Sequence, residues 1–428
     1  MEGRLSWGNY PKFKIKSKKP FNGKISFNEK FIPYGNGRSY GDSCINHNLV
    51  DFKSHNKIIH FDKVGGNIHV QSGILLEEII KIIVPQGWFL KVSPGSKYVT
   101  VGGAIASDVH GKNHHIEGCF SESIDFFKLM LPNGKILKCS KNINKEYFYT
   151  TCGGMGLTGV ILEAKIKLLK IKSSYINKTT IKAANLKECF KIFESIGDKH
   201  YSAAWIDSMA KGRNIGRSII QYGEFDDDGD FTYKNKKALN IPFYFPNFFL
   251  NSFTIKLFNF CYYEKVRKKI SFKKVCLNSF LFPLDSISNW TRIYGKGGFL
   301  QYQFIIPKNN SYSGIMSVLD EISRSNTGSF LGVLKLHGKS NKNYLSFPME
   351  GYSLALDFRA NEKNLCLLKK LDKIISHYNG RIYLSKDARV SKEVFEKGYS
   401  KITEFRNFRD KHKLKELISS LQSERLEI

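Results

Sequence analysis

The sequence predicts an α+β fold rather than a doubly wound α/β one, and three observations carry that expectation. Residues 24–169 read as short alternating strands broken by glycine and asparagine, with one well-formed helix among them. The string Gly154-Met155-Gly156-Leu157-Thr158-Gly159 satisfies G-x-G-x-x-G, yet the run at 160–168 ends in strand-like alternation where a dinucleotide-binding βαβ unit requires a helix. Beyond residues 170–174 the chain changes character, and helix-like segments alternate with aromatic-rich strands.

The elements follow in order. The helix is expected at 74–84 and stops at Pro85-Gln86-Gly87, because proline cannot continue the hydrogen-bond ladder and glycine accepts the turn that ends it. After the boundary, helices are expected at 186–196, 313–325 and 362–377, and strands at 202–207, 299–306 and 353–358. A strand and loop at 381–387 lead into a charged helical tail. This divides the chain into a first domain at 1–172, a second α+β domain at 173–379 and a C-terminal segment at 380–428. The aromatic stretch at 241–263 is long enough to span a bilayer, but two prolines, three asparagines and Lys256 make hydrocarbon a costly setting. With the basic run at 265–274 beyond it, the stretch at 241–274 reads as a lid, a membrane-facing surface or packing over the second domain.

Composition narrows the function. At 428 residues, 42% of them hydrophobic, the chain has ample material for a core. Lys and Arg outnumber Asp and Glu by 67 to 38, a formal +29, which implies attraction to something anionic. The basic runs at 12–19, 234–237 and 265–274 are short and accompany no zinc-finger, helix-turn-helix or RNP pattern, so nucleic acid is not the expected partner. Eight scattered cysteines without a C-x-x-C pair fit reduced thiols in the cytoplasm. The first residues carry no basic-then-apolar secretion signal, so the protein is expected to stay inside the cell. Asp108, His110, His114 and His115 cluster, but without cysteine or an H-E-x-x-H spacing no metal site is expected.

Two glycine-rich segments carry the chemistry. Residues 33–46 read Pro-Tyr-Gly-Asn-Gly-Arg-Ser-Tyr-Gly-Asp-Ser-Cys-Ile-Asn, and residues 101–115 read Val-Gly-Gly-Ala-Ile-Ala-Ser-Asp-Val-His-Gly-Lys-Asn-His-His. Gly35, Gly37, Gly41, Gly102 and Gly103 are expected to take positive φ and let backbone N–H groups converge on a pyrophosphate. His110 follows an apolar strand-like segment and precedes Gly111, where the backbone turns. Gln301 and Gln303 flank Tyr302, so both amides lie on one strand face and the phenol on the other.

The paired segments resemble those of the FAD-binding fold shared by vanillyl-alcohol oxidase and p-cresol methylhydroxylase. Within that superfamily they are similar to the decaprenylphosphoryl-β-D-ribose 2′-oxidases, with further matching stretches at 151–159, 283–307, 345–358 and 380–389. The resemblance implies a two-domain flavoprotein whose C-terminal segment returns to complete the FAD domain. It implies cofactor contacts from Gly35, Asn36, Gly37, Arg38, Ser39, Tyr40, Gly41, Gly95, Val101, Gly102, Gly103, Ala106, His110, Gly111, Asn113, Gly156, Gly159, Ile161 and Lys386. Substrate contacts fall to Gln301, Gln303, Lys335, Asp357 and Lys386, and catalytic roles to His110, Lys386 and Tyr40. In alditol and aldonolactone oxidases a histidine at the position of Arg38 bonds covalently to the flavin, so FAD is expected to be non-covalent here. Two positions depart from the family: Ala355 stands where a cysteine is common, and Tyr352 where a tryptophan is usual.

The implied reaction is FAD-dependent oxidation of a sugar secondary alcohol, C2 of a polyprenylphosphoryl-β-D-ribose, to the 2-keto sugar. That is the first half of an epimerisation to arabinose, so an NAD(P)H-dependent keto-reductase is the implied partner and an anionic membrane surface the implied setting. The alternatives are an alditol or aldonolactone oxidase on the same fold, and a non-enzymatic basic protein that binds lipid or nucleic acid and keeps a flavin fold.

Overall fold

The computed structural model describes residues 5–25, 29–233 and 238–428; the basic run at 234–237 lies outside them. Before residue 171 the chain builds an antiparallel sheet in the order Ile58–Asp62, Asn67–Gln71, Val160–Lys170, Ile124–Met130, Ile136–Cys139, with Trp88–Leu90 on the far end of Val160–Lys170. Val160–Lys170 is thus the strand that its alternation required, and no helix follows Gly159. The helix Leu76–Ile83 packs on this sheet. Leu76, Ile79, Ile80 and Ile83 are fully buried, each contributing about 1.5–3 kcal/mol of apolar transfer. Glu78 closes the helix start by accepting the Leu75 N–H at 2.9 Å, and Gly87 ends the following turn at φ 75°.

Residues 101–105 are not the strand expected ahead of His110. They form a short helix, Val101–Ala106, because Thr100 caps it: its Oγ1 accepts the Gly103 N–H at 3.2 Å. The glycines also act differently from expectation. Of the five, Gly37 has positive φ (58°), while Gly35, Gly41, Gly102 and Gly103 do not. Three of these four serve close approach: a Cβ on Gly35 would stand 2.4 Å from Thr100 Oγ1, one on Gly102 3.1 Å from Ser72, and one on Gly41 1.6 Å from the Asp387 carbonyl oxygen.

From residue 175 onward a second antiparallel sheet runs Ile270–Cys276, Tyr175–Ala183, Ser218–Phe225, Tyr201–Ile206, Gly332–His337, Gly351–Arg359, Phe299–Pro307, Arg381–Ile382. Three helices lie near the expected ones, at Leu186–Ser195, Lys308–Arg324 and Glu362–His377. The middle one starts five residues early, with Ser311 Oγ folded back onto the Ile306 carbonyl. Tyr302, Phe304, Leu334, Leu354 and Leu356 form the core under these helices. By the period-two rule, Gln301, Gln303, Val333, Lys335, Ala355 and Asp357 stand on the opposite face. The register sets Gln301 against Asp357, Gln303 and Val333 against Ala355, and Lys335 against Ser353.

The C-terminal segment packs against residues 31–46. Ser419 donates its N–H to the Phe31 carbonyl at 3.0 Å, and Tyr40 donates to the Ser385 carbonyl at 2.9 Å. Arg425 bridges the two stretches, its Nε and Nη2 each 3.0 Å from the Asp42 carboxylate and Nη2 2.8 Å from Asp387. Burial pushes the Asp42 carboxyl up to about 6 despite Arg425. For Asp387 the same burial is outweighed by Arg425, Arg389 and two backbone N–H groups, which hold it below the usual carboxylate range.

Removing the cation from two buried carboxylates is expected to cost about 3–5 kcal/mol. In Arg425→Met both folded-state carboxyl pKa values rise above their unfolded values, so the penalty is absent where both carboxyls are protonated and fully present above the raised folded values. Denaturant unfolding should therefore show a larger loss at pH 8 than at pH 5.

Candidate active site

A cavity of about 330 Å³ lies between the two glycine-bearing segments and the polar face of the second sheet. Along one side run Gly35, Asn36, Gly37, Arg38, Ser39 and Tyr40; along another Gly95, Gly102, Gly103, Ala106, His110 and Gly111; Gly156, Gly159 and Ile161 close a third. Gln301, Gln303, Lys335 and Lys386 reach it from the second sheet and the C-terminal segment. The structure thus brings together most of the residues singled out from the sequence.

Four do not line it. Gly41 is packed on the Asp387 backbone, and Val101 is fully buried in the first core because it faces inward from the short helix. Asn113 is held away by the Lys91 carbonyl and His200. Asp357 sits behind Gln301, accepting its amide N–H at 2.7 Å and the Tyr294 hydroxyl at 3.4 Å. Burial raises the Asp357 carboxyl to about 7, with Gln301, Lys386 and Tyr294 acting the other way. Its influence on the cavity passes through Gln301.

His110 is held by geometry. Its Nε2 lies 3.2 Å from the Gln303 side-chain amide, and its ring packs against His337 at 4.7 Å, Tyr383 at 5.5 Å and Phe347 at 5.7 Å. Burial holds His110 well below the ordinary histidine value, with Lys335, His114 and Lys386 adding to the effect, so the ring is neutral at pH 7. Its Nδ1 is buried and meets no hydrogen-bond partner among the described residues. His114 and His115 serve the scaffold instead, His114 Nδ1 accepting the Gly338 N–H and His115 Nε2 meeting the Lys199 carbonyl. Asp108 is a knot rather than a ligand, accepting from the Ser121 N–H, both Asn341 and Asn343 amides, and the Ser346 hydroxyl.

The wall is strongly cationic. Burial draws Lys386 down to about 7, partly opposed by Asp357, and places its Nζ 3.6 Å from the centre of the Tyr40 ring. Burial likewise takes Lys335 to about 8 and Lys112 to about 7. Asp285 is the one carboxylate among the lining residues. Arg38 lies over the Trp7 ring at 3.9 Å, and its Nε is buried with no hydrogen-bond partner among the described residues.

Sequence reasoning missed Trp7, Lys112, Asp285, Trp290 and Tyr383, all on the cavity wall. Lys112 was within reach, since His110-Gly111-Lys112 sits in a motif already singled out. Trp7 and Asp285 gave no local signal, because what places them is long-range pairing, such as the Trp7 N–H on the Ser39 carbonyl at 2.7 Å.

Comparison with known proteins agrees with this geometry. Residues 26–140 match the FAD binding domain family. The chain is 34% identical over 392 residues to decaprenylphosphoryl-β-D-ribose oxidase of Mycolicibacterium smegmatis, covering 87% of this chain and 84% of that protein. Identity to D-lactate dehydrogenase of Anaerostipes hadrus is 26% over 168 residues, 38% of this chain and 35% of that one. L-gulonolactone oxidase of Mus musculus is 29% identical over 143 residues, 33% of this chain and 32% of that protein.

The residues present fit FAD. Glycines at 35, 37, 102, 103, 156 and 159 leave the wall bare of side chains where a dinucleotide needs close backbone approach. The buried Arg38 Nε and His110 Nδ1 are polar atoms left for a ligand to satisfy. Arg38 offers no nucleophilic nitrogen, since its guanidinium is charged and stacked on Trp7. Acid precipitation of the purified yellow protein is therefore expected to release FAD into the supernatant; flavin fluorescence that stays with the denatured polypeptide on a gel would contradict it.

Proposed function

Because the chain belongs to the decaprenylphosphoryl-β-D-ribose oxidase family and is an FAD-dependent oxidoreductase, we propose that it oxidises C2 of a polyprenylphosphoryl-β-D-ribose to the 2-keto sugar. The observation that carries this reading is the single cavity in which the glycine walls face Gln301, Gln303, Lys335 and Lys386. Bound FAD supplies the two-electron acceptor for the carbinol hydride. The protein has three tasks: to hold the sugar, to receive the hydroxyl proton and to balance charge.

Amides suit the first, because Gln301 and Gln303 project from one strand face and can donate to or accept from sugar hydroxyls. Asp357 fixes the Gln301 amide by accepting from its nitrogen, which leaves the carbonyl oxygen of Gln301 free of that bond. For the second, neutral His110 offers one unprotonated ring nitrogen. The Gln303 amide nitrogen faces Nε2 and donates to it, which leaves the ring proton on Nδ1 and makes Nε2 the unprotonated nitrogen; the reversed amide would exchange the roles. Lys386 serves the third, as a buried cation whose field is little screened. Lys335 and Lys112 extend the positive wall to meet a phosphate.

The product calls for an NAD(P)H-dependent keto-reductase as partner, since a 2-keto sugar must be reduced from the opposite face to complete an inversion. A polyprenyl carrier places the reaction at the inner face of the cell membrane. Residues 1–172 and 380–428 would hold the cofactor in this reading, and 173–379 the substrate.

Purified protein incubated with polyprenylphosphoryl-ribose should give a product lighter by two hydrogens in mass spectrometry, whereas conversion of free alditols alone would point to the other oxidases of this fold. In stopped-flow absorbance, Lys386→Ala should stay folded and FAD-replete but be reduced by substrate about 10²-fold more slowly, the usual cost of one transition-state charge contact. His110→Ala should also be slowed. Wild-type reduction by a flavin-replete Lys386→Ala protein would exclude the lysine from the reaction.

A further inference from the structure

The helix Ser252–Glu264 is apolar on its outer face as well as its inner one. Its inward stripe is Ile255, Asn259 and Tyr263, and Asn259 is fully buried, donating to Asp207 at 2.8 Å. Its outward side chains include Phe253 (71% exposed), Leu257 (51%) and Phe260 (54%). A helix facing water carries polar side chains on that outer face. The neighbouring edge strand Ile270–Cys276 adds Phe272, 78% exposed, and the preceding loop adds Phe243, Phe248 and Phe249. Among the described residues, twelve of the nineteen exposed large hydrophobic side chains fall between 239 and 272, far more clustering than scattered surface residues give.

Exposed cations follow the helix directly, Lys265, Arg267 and Lys268, before the chain enters the strand that carries Phe272. No helix of the described residues is long and apolar enough to cross a membrane. Rings that insert shallowly beside ammonium groups suit the headgroup region of an anionic bilayer. A second copy is disfavoured, because a two-fold contact through this face would press two basic surfaces together.

The face is wired to the cavity. Leu239–Asn240 pairs in parallel with Ile287–Ser288, and Arg292 Nη1 donates to the Ile241 and Pro242 carbonyls at 2.9 and 2.7 Å. The residues between these anchors include Trp290, and Leu284 and Asp285 precede them; all three line the cavity. We infer that the aromatic and basic face formed by residues 239–273 docks on an anionic lipid bilayer and sets the cavity mouth at the membrane surface. The docking stands on the surface itself; that it delivers a lipid-linked substrate rests on the function proposed above.

The test uses the full FAD-loaded chain and vesicles of phosphatidylcholine with or without phosphatidylglycerol. Wild type should co-sediment with the anionic vesicles at low salt and be released by about 0.5 M salt, where charges are screened within a few ångströms. Phe253→Ser with Phe260→Ser should weaken vesicle binding roughly tenfold or more through lost apolar insertion, as should Lys265→Glu with Lys268→Glu through lost attraction. All four positions are exposed, and flavin content and melting temperature confirm that each variant is folded. Failure of wild type to bind, equal binding to neutral vesicles, or unchanged binding by both variants would overturn the inference. So would a dimer in sedimentation velocity that the aromatic variant converts to monomer without any vesicle binding. Vesicle binding needs no substrate, so its outcome is separate from whether the sugar assignment holds.

Discussion

The site depends on one long-range electrostatic closure. Arg425 joins Asp42 and Asp387 across 383 positions of sequence, and with it the Tyr40 N–H reaches the Ser385 carbonyl and Gly41 lies directly on the Asp387 backbone. The closure backs up the contact of Lys386 with Tyr40, because the strand Arg381–Ile382 ends before the lysine and the loop beyond it is kept by single bonds, such as Lys386 N–H to the Tyr383 carbonyl at 3.0 Å and the Gln422 amide to the Leu384 carbonyl at 2.8 Å. Gly41 therefore answers to packing. An added methyl there would displace the segment that carries the cation, which is why a glycine with ordinary φ is needed at a position that sequence alone suggests is a turn.

How much of this was legible follows from how local each signal is. The helix at Leu76–Ile83, the strand after Gly159 and the shared face of Gln301 and Gln303 were readable because periodicity and capping act over a few residues. The helix Val101–Ala106 was misread as extended, since two glycines and β-branched neighbours conceal a one-residue cap at Thr100. Asp357 was assigned to the substrate pocket by resemblance, but the structure turns its carboxylate toward Gln301 and Tyr294. Trp7, Asp285 and Trp290 were out of reach, because their place on the wall is set by pairings between segments distant in the chain.

The cavity's charge is a cost that the fold accepts. Lys112, Lys335 and Lys386 are each lowered from the ordinary lysine value chiefly by burial, and Asp357 offsets this for Lys386 alone. Such groups are poor contributors to stability, and an apolar side chain of similar size would pack there at less expense. Their retention on one wall is best understood through ligands: an anion entering the cavity supplies the countercharge that the protein withholds.

This arrangement couples occupancy to protonation. Drawn down to about 7 for Lys112 and Lys386 and about 8 for Lys335, the three lysines hold their protons less firmly than free lysines do. A bound phosphate favours their charged forms, so their pKa values rise and protons are taken up on binding. Affinity for an anionic ligand then falls as pH climbs past 8, because each lysine must first be protonated at growing expense. A neutral sugar would gain nothing from the same wall. Under the function proposed above, selectivity for phosphorylated over free sugars would come from desolvated lysines whose charge the ligand completes, with Gln301 and Gln303 left to read the hydroxyls.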